Sequence, residues 1–271
     1  PPSRVRARVD GPAPAAAEFL ALDGIRDASG APPLDPATCR GTVSAQVTVT
    51  TPVGSDPPPG SFQYAVAADI TNFAVDRFAM SQKVEAQTLK VAANQQGYQV
   101  KGDVRIGGVP AAIELRKANG EPDAELRLQA TLDDAARGKL GIETGPTISG
   151  PIALKLAGRL NAAPDQDSRF AVDADLTQAR IDSLLPGWVK PAGKTVRSAF
   201  TYVGRGKAAR FEDVVVEGSG AAVKGGLELD GNGEFLAASF PVFGLSDGDK
   251  ASLKVERGAD GIMKVVLRGD V

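Results

Sequence analysis

The chain contains no histidine and a single cysteine, Cys39. Without histidine it lacks the commonest general base and the commonest metal ligand. One cysteine excludes both an internal disulfide and a cysteine-based zinc site. Aromatic residues make up only 5% of the chain, with one Trp and three Tyr, so the stacking platforms that usually hold sugars are missing. Charge of one sign is missing as well: 31 Lys plus Arg face 33 Asp plus Glu, a net charge of −2. A nucleic-acid binder would need a basic excess, so nucleic acid is not an expected partner. The longest apolar stretch, "APAAAEFLAL" (13–22), is too short and too interrupted to span a bilayer. The opening "PPSRVRARVD" has neither the charged start nor the apolar centre of a signal peptide. The closing "VLRGDV" interrupts an alternating run, and the chain is expected to be a fragment of a longer protein.

What the 271 residues do contain is alternation of period two. In "TVSAQVTVT" (42–50), Val43, Ala45, Val47 and Val49 share one face and polar residues the other. The pattern recurs in 124–132, 152–156, 224–230, 251–256 and 263–268. Asn119-Gly120 and Asp260-Gly261 separate such runs and favour the positive φ of tight hairpin turns. Helical text is confined to "APAAAEFLAL", "DDAARG" (133–138) and a short turn in "RIDSLLPG" (180–187). The loops "TPVGSDPPPGS" (51–61) and "LNAAPDQDS" (160–168) are rich in Pro, Gly and polar residues, natural seams.

The chain also repeats itself. "YAVAADITNFAVD" (64–76) and "FAVDADLTQARID" (170–182) agree at six of thirteen positions. A second match links "VKGDVRIGG" (100–108) to "VKGGLELDG" (223–231), and the longer spacing of the second copy assigns an insertion to 187–203. The expected organisation is therefore two parts. Residues 1–165 hold the first β unit or units, with a short helical, Pro-rich insertion near 12–40. Residues 166–271 hold a second β unit repeating 64–108, within what is expected to be one continuous sheet.

Motifs that suggest chemistry fail on spacing. "PGWVKPAGKT" (186–195) ends like a phosphate loop, but its first glycine is one position early and a strand-like run follows it. Asp230-x-Asn232-x-Glu234 begins like a calcium loop, with Phe235 where glycine is required. Asp173 and Asp175 alternate onto one polar face and read as solvated. Cys39 has no histidine partner to make it a nucleophile. Arg205, Lys207 and Arg210, near two glycines, are weak candidates for a lipid headgroup phosphate. No catalytic residue, metal ligand or cofactor is assigned, and the chain is not expected to be an enzyme.

Three stretches together resemble the AsmA-like superfamily of Gram-negative envelope proteins, nearest its large YhdP-type members. They are "LDPATCRGTVSAQVTV" (34–49), "ADLTQARIDSLLPGWVKPAGKTVRSAFTYV" (174–203) and the alternating C-terminal run 211–270. The resemblance implies a periplasmic protein, tethered to the inner membrane by an N-terminal helix absent from this fragment. It further implies that the protein carries phospholipid or another acyl-chain lipid toward the outer membrane along a hydrophobic β groove. The expected fold is mostly β: an antiparallel sheet of repeated units curled into an open, taco-like groove, with a few short helices. A closed β-sandwich, serving as a structural or adhesive envelope repeat, is the alternative. The expected lipid-facing residues are Val43, Val47, Leu126, Leu128, Leu154, Leu156, Leu227, Leu229, Val265 and Leu267.

Overall fold

A computed structural model describes residues 3–22, 34–52, 62–79, 82–142, 145–160, 167–182, 189–205 and 207–270. The chain forms two compact units, Pro1–Leu128 and Gln129–Val271. The first contains β1 (Ser3–Pro12), α1 (Ala13–Leu20), β2 (Arg40–Thr51), β3 (Gln63–Ala79), β4 (Gln82–Asn94), β5 (Gly97–Ile106) and β6 (Val109–Ala118). Strand β7 (Ala124–Leu132) spans the division. The second contains α2 (Asp134–Lys139), β8 (Ile148–Ser149), β9 (Ile152–Leu160), β10 (Ser168–Asp175), β11 (Arg180–Asp182) and β12 (Val189–Lys190). It continues with β13 (Arg197–Arg205), β14 (Ala208–Gly218), β15 (Ala221–Leu229), β16 (Phe235–Gly244), β17 (Lys250–Arg257) and β18 (Met263–Asp270). Among the described residues, no helix is long and apolar enough to cross a membrane.

In each unit the long strands hydrogen-bond in chain order, every pair antiparallel. Strands β12, β11 and β8 form a small separate sheet in the second unit. This topology corrects the expected fold. A sandwich needs a second layer facing the first, and each unit has its long strands in one layer. A curled groove would draw the apolar side chains into a shielded interior, whereas Val265 and Leu267 remain 61% and 47% exposed. The physical reason is local: toward one end of the strands only scattered residues such as Leu115, Val203 and Ala209 are buried, while burial is heaviest toward the other.

That end is well packed in both units. In the first, Phe73, Val75, Val84, Ala86, Val104, Val109 and Ala111 are buried where β3 ends, β4 begins, β5 ends and β6 begins. Helix α1, opened by prolines at Pro12 and Pro14, packs on β1 and β2 there and buries Ala13 and Ala17. In the second, Leu176, Ile181 and Val196 form a buried cluster flanked by Ile148, Ile152 and Val216. The small sheet thus plugs one end of the unit's apolar face.

The two copies of the repeated phrase take different courses. Residues 64–76 lie within the single strand β3, where Asn72 absorbs a bulge at φ 51°. Residues 170–182 follow β10 only to Asp175, then turn into β11 of the other sheet. One strand, β4, separates β3 from the "VKG" strand β5. Two strands, β13 and β14, separate β10 from β15, so the two "VKG" strands run in opposite senses relative to their partner phrases. The expected turn in 180–187 is strand over Arg180–Asp182, and its remainder lies outside the described residues. So do most of the loops 51–61 and 160–168.

Candidate lipid-facing surface

Register, rather than sequence spacing, shows which side chains share a face. In the first unit Val9 pairs with Ala45, Ala45 with Ala68, Ala68 with Val91, Val91 with Val100 and Val100 with Leu115. Val43 and Val47 stand on this same face, opposite Ile70 and Val66. Leu126 and Leu128 alternate with exposed residues along β7, on its half-buried face.

In the second unit Leu154 and Leu156 pair with Ala174 and Val172. Val172 pairs with Phe200, Phe170 with Tyr202 and Tyr202 with Phe211. Phe211 pairs with Leu227 and Ala209 with Leu229. Leu227 pairs with Ala238, Ala238 with Val255 and Val255 with Val265, while Leu253 pairs with Leu267. All six expected residues of this unit therefore fall on one continuous apolar face. Leu154, Leu156, Leu227 and Leu229 are half-buried, as are Val43, Val47, Leu126 and Leu128.

The opposite faces are charged. In the first unit Asp69 meets Lys90 at 3.2 Å and Glu114 meets Lys101 at 3.3 Å. In the second, Arg169 meets Glu212 at 2.8 Å and Lys224 meets Glu217 at 3.1 Å. Exposed pairs of this kind add little stability; their consequence is that each sheet has one charged and one apolar face.

Of the headgroup candidates, Lys207 is exposed in a turn. Arg210 pairs with Val203 and Glu228 and lies on the charged face, its guanidinium 3.5 Å from Glu212 and 4.0 Å from Asp167. Arg205 ends β13, and its side chain lies outside the described residues. Arg210 is thus not brought onto the apolar face. The Asp230 carboxylate accepts from the backbone N–H groups of Asn232 (2.8 Å) and Glu234 (3.0 Å), which hold its pKa below the usual carboxylate range. It serves its own turn rather than a calcium shell. After Gly193 the chain enters strand β13 rather than a helix, which removes the N-terminus a phosphate loop needs.

Sequence reasoning missed two features. One is an aromatic cluster: Phe211 contacts Phe200 at 5.4 Å and Tyr202 edge-on at 5.7 Å between ring centres. Low aromatic content concealed it, because these rings are gathered on one face by register. The other is Lys190, 3% exposed, whose ammonium donates to the carbonyls of Leu176, Thr177 and Ala179. Desolvation holds its pKa below the ordinary lysine value. It ties the plug sheet to the turn that leaves β10.

No family model, curated protein or solved structure matches the chain.

Proposed function

We propose that this chain is a non-catalytic, lipid-binding segment of an AsmA-like envelope protein. In this reading the whole protein is periplasmic, tethered to the inner membrane outside this chain, and carries phospholipid toward the outer membrane. The observation that carries the proposal is the one-sided apolar face that continues from strand to strand within each unit. A flat aliphatic and aromatic surface needs no particular residue to hold an acyl chain. Each fully buried methylene contributes about 0.8 kcal/mol, so a sixteen-carbon chain with one side against the face would gain on the order of 6 kcal/mol before ordering costs. The resemblance in 34–49, 174–203 and 211–270 points to the same class of ligand.

Native mass spectrometry with lipid extraction tests the reading, using protein purified without detergent from a Gram-negative host. Phospholipid adducts, crosslinked when a photoreactive residue replaces Leu128 or Leu229, are the expected result. A clean unliganded mass after incubation with phosphatidylethanolamine vesicles would make the chain a structural module instead.

A further inference from the structure

All three tyrosines of the chain lie on apolar faces, and within its own unit each lies toward the end opposite the more heavily buried one. In the first unit Tyr64 is the second residue of β3, opposite Val49, and Tyr98 is the second residue of β5, opposite Ala93 and Lys117. The more heavily buried end of those strands carries Phe73, Val75 and Val104. In the second unit Tyr202 pairs with Phe170 and Phe211, while the plug packs around Val196 at the other end of the same region. Each unit shows this independently.

No tyrosine oxygen among the described residues is both buried and without a hydrogen-bond partner. Among the described residues, Arg137 Nε is the one buried side-chain polar atom without a hydrogen-bond partner. The tyrosine oxygens therefore meet water or a partner while their rings stay half-buried. A ring on hydrocarbon with a wet polar tip marks the boundary between an apolar layer and water. Charged groups of both signs reach the same level of the same faces. Lys117 pairs with Tyr98 and donates to the carbonyl of Glu121 at 2.5 Å. Arg257, following Val255 on its face, binds Glu234 at 2.5 Å and Asp230 at 3.5 Å.

Spacing along the strands fits an acyl chain. Tyr98 to Val104 and Tyr202 to Val196 each span six residues, about 20 Å at ~3.3 Å per residue. One leaflet of a bilayer's hydrocarbon core is about 15 Å thick. Resting on the lipid-binding reading above, we infer that each face orients its ligand. The glycerol–ester and phosphate region of a diacyl phospholipid sits at the tyrosine end, and its chains run along the strands toward the more heavily buried end of the same unit.

Two phosphatidylethanolamines test this, one with a diazirine near the ester and one with it at the chain terminus, with adducts mapped by mass spectrometry. The expected result is ester-proximal labelling around Tyr64, Tyr98 and Tyr202 and terminal labelling around Val75, Val104 and Val216. Reversed or indistinguishable maps overturn the orientation and leave lipid binding standing. No labelling by either probe above an unrelated β protein overturns both. The double variant Tyr64→Phe, Tyr202→Phe keeps the rings and should weaken retention about three- to tenfold, the worth of one or two hydrogen bonds. Unchanged retention in a normally folded variant would count against the tyrosine end.

Discussion

The ammonium of Lys190 lies 2.6 Å from the carbonyl oxygen of Ala179, a residue with no solvent exposure at all. Two further carbonyls, of Leu176 and Thr177, complete the cage. Hydrogen bonds to a charged group contribute about 1.5–3 kcal/mol. Lys190→Met should therefore lower stability by about 3 kcal/mol, measured by urea unfolding followed by circular dichroism. Lys190→Arg, whose planar fork cannot occupy a site shaped for a point charge, should recover only part of it. An unmoved midpoint for Lys190→Met would show that the cage is incidental.

Burial pushes the Tyr98 phenol up to about 12, against about 10 in an unfolded chain. The folded state thus holds the proton longer than the unfolded state does. Its contribution to stability is complete below pH about 10 and is lost as pH rises through about 12. An ultraviolet tyrosinate titration should show one late step, and Tyr98→Phe should remove it. A late step that persists in the variant would assign the perturbed phenol elsewhere.

Gly225 sits in the "VKG" of β15, opposite the irregular pairing with β16. A Cβ added there would lie 2.0 Å from the Ser239 carbonyl oxygen and 2.7 Å from the Phe240 Cα. Both atoms are backbone and cannot rotate away. Gly225→Ala should cost about 2 kcal/mol, with Gly231→Ala, where nothing lies within 4 Å, as the control. Equal melting temperatures for the two variants would contradict the close approach.

Val265 and Leu267 extend the apolar face onto β18, where they are exposed. Replacing both with Lys should leave stability within about 0.5 kcal/mol, as for ordinary surface changes. The same double variant should reduce capture of phosphatidylethanolamine from vesicles. Full capture by a folded variant would confine the lipid surface to the preceding strands.

Much of this was legible because strand text carries its own face assignment. The six leucines and valines chosen by alternation between 152 and 268 register onto one face across seven pairings. "APAAAEFL" and "DDAARG" coincide with α1 and α2, the second capped by Asp133 accepting from the Ala136 N–H at 2.7 Å. The turns were read in part. Gly120 and Gly261 do have positive φ, 82° and 79°, yet Asn119 and Asp260 do not join them. The Asn119 amide donates to the Gln95 carbonyl, and Asp260 accepts from the Ile262 N–H. Each pair therefore belongs to a longer loop.

What alternation could not reveal is where a strand leaves its sheet. Asp69 and Asp175 hold the same place in the repeated phrase. Asp69 reaches across to Lys90 at 3.2 Å and β3 continues. Asp175 accepts from the Thr177 N–H at 2.9 Å, which turns the chain and delivers Leu176 to the plug. Identical local text is resolved by a distant partner, the cage-forming Lys190. Whether an apolar face is covered is equally non-local, which is why trough and sandwich both seemed admissible from sequence.

Strand order has a kinetic corollary. Most pairings in each unit close over short turns, as β4 and β5 do around Gln95 and Gln96. Such sequence-local contacts lower contact order, and lower contact order speeds folding for a sheet of given size. Long closures are made between Pro12 and its partner Thr42 in the first unit and between Asp175 and its partner Arg197 in the second, and loop closure carries the larger entropy cost. The hairpins can zip independently, leaving such joinings as the slow steps.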